Sequence, residues 1–281
     1  MTLHIHQLDP SNPNDHLYFP TIARVHLAAW LTVPLMKAIY YGPPDAYPGY
    51  LASMEQRHTK AFREESDCRF AVVLDDAFPP DDEVVFGWTT TSESNSPPRG
   101  KVIAAIKYYF VNTGPYAPSF DATTEEPTTS SSKDTRSWPP QSHEALASDF
   151  WSQLVRAREM LTSKLGDHVL VDNLYTDPNH HRRGAGGLLM RHACNEADAQ
   201  GLPSMLEASP KGIGVYQSVG YEAWGEGGDD GQGVIWVDLE RWAGAQDRGV
   251  EFTEERIRRD PERKGEGWYA QVLMVRLARR E

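Results

Sequence analysis

Cysteine is scarce. Only Cys68 and Cys194 occur in 281 residues, so no disulfide framework holds this chain together. Long apolar runs are missing too. No stretch approaches the ~18 apolar residues that a membrane-spanning helix needs, and Met1-Thr2-Leu3-His4-Ile5-His6 contains no apolar signal core. Basic residues are in deficit: 28 Lys and Arg stand against 40 Asp and Glu, a net charge of −12. That balance excludes a broad nucleic-acid-binding surface. The nucleotide P-loop, Gly-Lys-Ser/Thr after a glycine turn, is absent, and so is the dinucleotide fingerprint Gly-x-Gly-x-x-Gly. The expectation is a soluble, cytoplasmic protein with no membrane or nucleic-acid partner and an oligomeric state left open. The acidic balance suits a cationic substrate, although it serves solubility equally well.

What is present suffices for one sizeable core, since 40% of the residues are hydrophobic. Leu3 to Gln7 alternates like a short strand. Ile22, Val25, Ala29 and Trp30 share a helical face within residues 15–30, and Leu51, Met54, His58, Ala61 and Phe62 share another within 51–65. Between them lie Tyr40, Tyr41, Tyr47 and Tyr50 with three prolines, either an aromatic substrate wall or a braced loop packed on the core. Phe70–Leu74, Val84–Thr91 and Val102–Phe110 read as strands, the last two continuous enough to be central. Residues 113–142 turn polar and rich in Pro and Ser, as a surface insertion would. A longer helix follows on Leu146, Phe150, Leu154, Ala157, Leu161 and Leu165, with Gly166 as its stop. Residues 225–232 form an acidic, glycine-rich flexible loop. Val234–Leu239 and Tyr269–Leu277 read as strands, with 243–266 irregular or partly helical. No internal repeat is visible. The order of elements predicts an α/β fold with a mixed sheet, one domain over 1–281.

The informative stretch is 169–221. Val169 to Thr176 is a strand closed by Asp177-Pro178. The turn Asn179-His180-His181-Arg182-Arg183 leads into Gly184-Ala185-Gly186-Gly187, and Ala185, Leu188, Leu189, Ala193 and Ala197 then recur at helical spacing. Gly201 and Pro203 end that helix. The first N–H groups of a helix lack intrahelical partners and sit at the positive end of its dipole, so a strand, a basic glycine turn and a helix start make a cradle for phosphate or pyrophosphate. Pro203–Ser209 is a second strand, Ile213–Val219 is a short helix carrying Tyr216, and Gly220-Tyr221 ends that helix and starts another strand.

This stretch resembles the GNAT superfamily of acyl-CoA-dependent N-acetyltransferases. Leu174-Tyr175-Thr176-Asp177-Pro178 is similar to that family's Leu-x-Val-x-Pro strand end. His181-Arg182-Arg183-Gly184-Ala185-Gly186 is similar to its Arg/Gln-x-x-Gly-x-Gly/Ala cradle, with His181 departing at the first position. Tyr216-Gln217-Ser218-Val219-Gly220-Tyr221 is similar to its Tyr-x-x-x-Gly-Phe/Tyr end. The resemblance implies a GNAT-like sheet splayed at the cofactor strand, with acetyl-CoA as cosubstrate. His181, Arg182, Arg183, Gly184, Ala185, Gly186 and Gly187 would hold the pyrophosphate. Backbone groups of Leu174, Tyr175 and Thr176 would pair with pantetheine, and Ser209 joins this set from the second strand.

Acyl transfer needs a held thioester, an uncharged amine and a proton for the departing thiolate. By its match, Tyr216 is expected to be the general acid. Asp172 and Glu207, one on each strand flanking the cleft, are candidate bases, Asp172 because it shares strand parity with Leu174 and Thr176. Each could instead be a structural carboxylate or a substrate-binding charge, and a water chain could replace a single base. Cys194, mid-helix, reads as buried and structural. His180, His181 and His192 lack carboxylate or thiolate partners at ligand spacing, so no metal is expected. The expected activity is acetyl transfer to a small-molecule amine by direct attack in a ternary complex. The alternatives are a protein or peptide N-acetyltransferase and a non-catalytic acyl-CoA-binding protein.

Overall fold

Three runs with almost no polar interruption, Cys68–Asp75, Lys101–Val111 and His168–Thr176, form the middle of one open sheet. Strands buried on both faces need such continuity. The computed structural model describes residues 3–82, 84, 100–112, 138–225 and 233–279. The expected strand at 84–91, most of the 113–142 insertion and nearly all of the acidic loop fall outside the described residues.

In chain order the elements are β1 (Leu3–Gln7), α1 (Phe19–Trp30), α2 (Pro34–Ile39), α3 (Tyr47–Glu64), β2 (Cys68–Asp75), β3 (Lys101–Val111), α4 (Glu144–Leu165), β4 (His168–Thr176), α5 (Ala185–Ala199), β5 (Ser204–Ala208), α6 (Ile213–Gln217), β6 (Glu222–Ala223), β7 (Val234–Asp238), α7 (Val250–Arg259) and β8 (Trp268–Arg276). The helix expected from residue 15 begins only at Phe19, after a 3-10 turn over Pro13–Tyr18. Pro20 has no N–H to give an earlier turn, so it fits only the first turn of α1. The charged 243–266 segment contains α7, which buries none of its residues and is tied down through Arg256, whose Nε lies 3.1 Å from Asp238 Oδ1.

The sheet runs β1-β2-β3-β4-β5-β8-β6, with β7 also paired to β8. Every pairing is antiparallel except β4 with β5. That parallel pair is joined only at Val169↔Ser204 and Leu170↔Met205. Beyond these two positions the strands part, and the β5-facing edge of β4 from Val171 to Thr176 has no strand partner among the described residues. On its other side β4 stays paired to β3 as far as Thr176↔Ala104.

That β3–β4 ladder contains the feature that moves the site. Lys107 pairs Asn173 and Tyr108 pairs Val171, so Asp172 is the extra residue of a β-bulge. The bulge inverts the alternation of β4. Upstream, Val169 and Val171 pack toward α5, while Leu170 lies in the other core. Downstream, Leu174 packs toward α5 and Tyr175 faces the other core. Asp172 therefore shares a face with Leu170 and Tyr175, not with Leu174 and Thr176 as simple parity predicts.

Each face of the sheet carries its own core. One, built from α1, α3 and α4, includes Phe19, Ile22, Met54, Phe70, Leu146 and Leu161. The other lies under α5 and α6 and includes Ile103, Ile106, Leu189, Met190, Leu206 and Tyr221. Burying each large apolar side chain contributes about 1.5–3 kcal/mol before entropy is counted, and the two cores hold β3 and β4 in the central layer between them.

Candidate active site

The cradle is formed by backbone. After β4, the Asp177 carboxylate accepts the Asn179 N–H at 2.8 Å and closes a single 3-10 turn. Arg182 (φ +59) and Gly184 (φ +87) then turn the chain into α5. Both lie in the left-handed region, which costs glycine nothing and other residues about 1–2 kcal/mol. The first α5 backbone bond is donated by Leu188 N–H to the Gly184 carbonyl at 3.0 Å. The N–H groups of Ala185, Gly186 and Gly187 precede it at the positive end of a four-turn helix. A Cβ on Gly186 would sit 3.6 Å from Thr176 Oγ1 and 3.9 Å from Leu174, so Leu174 and Thr176 lie directly beside the start of α5.

The basic turn is less available to a ligand than its composition suggests. Arg183 Nη2 lies 2.5 Å from the buried Asp75 Oδ2, its Nη1 is 2.8 Å from His180 Nδ1, and its guanidinium covers the Phe78 ring. His180 is itself buried. His181 Nε2 lies 3.1 Å from the Thr176 carbonyl oxygen. Arg182 is the exposed cation of the turn.

Where β4 and β5 part, a cavity of about 460 Å³ opens between the sheet and helices α1 to α4. Asp172, Leu174, Glu207, Ser209 and Tyr216 all line it, so the sequence-predicted catalytic residues and part of the predicted cofactor set come together. Tyr175 points the other way and is buried against His26, ring centroids 4.4 Å apart. Only its backbone belongs to the cleft. Tyr216 sits on α6 against Gly212, where a Cβ would come within 2.7 Å of its ring. Burial raises the Tyr216 phenol above its ordinary value, and the nearby Glu207 and Tyr269 push it the same way.

One side chain not foreseen from the sequence organises the floor. Arg158 of α4 donates through Nε and Nη2 to the two oxygens of Glu207, at 2.8 and 2.9 Å, and through Nη1 to Asp172 Oδ1 at 3.0 Å. Asp172 Oδ2 also accepts from the Asn173 amide at 2.6 Å and lies 3.4 Å from Lys107 Nζ. Burial would raise the Asp172 carboxyl, but Lys107 and Arg158 outweigh it and hold it at about 2. The signal was there to read. Arg158 falls in the apolar stripe Phe150, Leu154, Leu161, and Lys107 interrupts an otherwise apolar strand. A charge inside an apolar stripe needs a buried partner.

Two buried histidines are also part of the cavity wall. His26 Nδ1 lies 2.8 Å from His58 Nε2, and the Tyr175 hydroxyl is 3.3 Å from the same His58 nitrogen. Burial holds both rings well below the usual imidazole range; His58, Arg57 and Lys107 lower His26 further, and Lys107 and Arg57 lower His58. The tyrosine-rich loop divides between its two readings. Tyr40 lines the cavity, whereas Tyr50 is core, its hydroxyl donating to the Gln141 carbonyl at 2.7 Å. Cys194 is buried in α5, and burial raises its thiol. Among the described residues, no group of three or more His, Cys, Asp or Glu is placed to hold a metal ion, and no helix is long and apolar enough to cross a membrane.

The family model of the acetyltransferase (GNAT) domain matches residues 152–223. Over that segment the chain is similar to GNAT acetyltransferases. The match spans most of α4, the splayed β4–β5 pair, the cradle and Tyr216, which are the parts that build the cleft. Among solved structures, arylalkylamine N-acetyltransferase 2 from Aedes aegypti superposes with a TM-score of 0.57 at 9% identity, covering 99% of this chain and 100% of that one. A histone acetyltransferase HPA2 and related acetyltransferase from Corynebacterium glutamicum gives 0.46 at 12% identity, covering 100% and 99%. The PaiA N-acetyltransferase from Thermoplasma acidophilum, in complex with coenzyme A, gives 0.41 at 9%, covering 99% of each. The first of these superpositions shows a likeness of fold that reaches beyond residues 152–223.

Proposed function

We propose that this GNAT domain transfers an acetyl group from acetyl-CoA to the primary amine of a small molecule, by direct attack within a ternary complex. The observation that carries the reading is the open β4–β5 cleft, with a backbone cradle beside it and a cavity whose lining includes Tyr216. Acetyl-CoA supplies the thioester. The N–H groups of Ala185, Gly186 and Gly187, with Arg182 and His181 beside them, hold its pyrophosphate. The open edge of β4 at Leu174, Tyr175 and Thr176 pairs with the pantetheine amides as an added strand would, and Ser209 closes the opposite side. A backbone N–H of the same edge polarises the thioester carbonyl.

Tyr216 donates the proton that the leaving thiolate needs. Its raised affinity keeps the phenol protonated at every working pH, so it is always ready as an acid. Asp172 and Glu207 serve differently. With all four oxygens directed at Arg158, Lys107 or Asn173, they fix the floor of the cavity, and the amine gives up its proton to water at the cavity mouth. Two buried cysteines without a disulfide fit a reducing compartment, and we place the reaction in the cytoplasm.

Thermal melting with coenzyme A tests the cradle. Ligand at a hundredfold excess over Kd should stabilise by about 2.7 kcal/mol, a shift of several degrees. ATP and NAD at the same concentration should give no comparable shift. The Tyr216→Phe variant should keep that shift and lose roughly 10²-fold or more in kcat, the usual contribution of a positioned acid. An unchanged kcat would remove Tyr216 from the chemistry. No shift at millimolar coenzyme A would remove the acyl-CoA reading altogether.

A further inference from the structure

The cavity has a wall and a floor of different chemistry. The wall is aromatic, with Trp30, Tyr40, Trp138, Phe150 and Trp151 facing inward from the helical side. The floor is charged, but its carboxylates are already committed. Asp172 and Glu207 are bound to Arg158 and Lys107, and Glu65 Oε2 accepts the Tyr109 hydroxyl at 2.7 Å. Arg57 and Lys60 of α3 add two exposed cations at the rim. Among the described residues the lining thus carries four cations, Arg57, Lys60, Lys107 and Arg158, against three carboxylates, Glu65, Asp172 and Glu207. A chain of net charge −12 encloses an acceptor cavity that is not acidic.

This arrangement selects by charge and by surface. A second ammonium group on the acceptor would have to enter beside Lys107 and Arg158, where Glu65, already accepting from Tyr109, is the one lining carboxylate outside the ion-paired floor, and like charges brought together away from water repel strongly. An aromatic or bulky apolar body gains from the wall, where rings pack edge-to-face and water is displaced. His26 and His58 present uncharged rings to the same space, and Trp30 stands edge-on to His26 with centroids 3.9 Å apart. We infer that the acceptor is a primary monoamine carried on an aromatic or bulky apolar body, and that polyamines are excluded by the charge of the cavity floor. This rests on the acetyl-transfer reading of the same site.

Steady-state turnover of the full chain at saturating acetyl-CoA tests it, with 2-phenylethylamine, tryptamine, spermidine and a lysine-containing peptide as acceptors. Calorimetric titration of the same amines in the presence of coenzyme A gives a readout independent of turnover. The aromatic monoamines should exceed spermidine in kcat/KM by about 100-fold, the range a shaped and charged pocket achieves. Trp30→Ala should lower kcat/KM for tryptamine by about tenfold and leave the coenzyme A melting shift in place, while Trp30→Phe should retain most of it. Lys107→Met should narrow the gap between tryptamine and spermidine. Preference for spermidine or the peptide, or an aromatic preference untouched in both Trp30→Ala and Lys107→Met, would overturn the inference. The two readings fail separately. Absence of a coenzyme A shift defeats the acetyl-transfer reading, whereas a shift with no binding of aromatic amines defeats only the acceptor class.

Discussion

Two buried histidines keep the neutral form that burial favours, while one buried aspartate is held charged against it. His26 and His58 touch each other, and a proton on either would face its neighbour and the nearby Lys107. Both therefore stay neutral in the fold well below the usual imidazole pKa of about 6.5, at which the unfolded chain takes up protons. The unfolded state then binds more protons, so stability is complete above about pH 6.5 and falls as pH drops, by up to ~1.4 kcal/mol per unit for each ring. Melting temperature measured from pH 7.5 to 5.5 should fall in the native chain and fall less steeply in a His26→Gln, His58→Gln double variant. Identical slopes would mean the pair does not titrate as described. Asp172 acts in a lower window. Its folded value of about 2 lies below the ordinary 3.8, so its contribution is complete above that ordinary value and fades only as pH falls toward 2. His58 was legible as a member of an apolar face. Its contact with His26 was not, because the two lie 32 residues apart and on different helices.

At the scale of elements, Arg158 joins three of them. It sits on α4 and holds a carboxylate on each strand of the splayed pair, where backbone bonds between β4 and β5 have ended. Replacing Arg158 by Met leaves two carboxylates in the cavity floor without their main cation. Removing one partner of such a network costs about 3–5 kcal/mol. Urea denaturation of Arg158→Met should show a loss of that order, with Arg158→Lys recovering part of it through a single point charge. A loss below ~1 kcal/mol would mean that the bridge adds little beyond its desolvation cost. The helix α4 itself was plain from its periodicity. Its one charged core position carried the information about the site, and periodicity gives no partner for a charge.

For the molecule as a whole, the two cores lie on opposite faces of the sheet and the cleft interrupts only the β4–β5 seam. Binding at the cradle should therefore act locally. Hydrogen exchange in the presence of coenzyme A should slow at residues 172–176 and 185–188 and stay unchanged in β1 and β2, whose amides already pair across a full ladder. Uniform protection of the whole sheet would contradict a ligand seated in the seam. The splayed sheet was anticipated through the resemblance of three short motifs, whereas the strand–turn–helix at the glycine turn and the short helix carrying Tyr216 were read from the residues themselves. The fold's outer parts were read only loosely: a strand was expected to start at Gly220-Tyr221 and 243–266 to be irregular or partly helical, and the bounds of the two-residue β6 and of α7, which half-buries Phe252, Thr253, Arg256 and Ile257, came only with the structure.

The sequence by itself determined the order of helices and strands, the glycine-rich cradle at the start of α5 and the tyrosine that follows it. These depend on neighbours within a few positions, where turn chemistry and apolar spacing act directly. Tertiary structure alone decided what the carboxylates touch. A one-residue bulge at Asp172 broke the parity that alternation assumes, and an arginine from a distant helix took both predicted bases into one ion-paired floor. Register and buried charge pairing are set by groups that meet only after the chain has folded, so no local pattern records them.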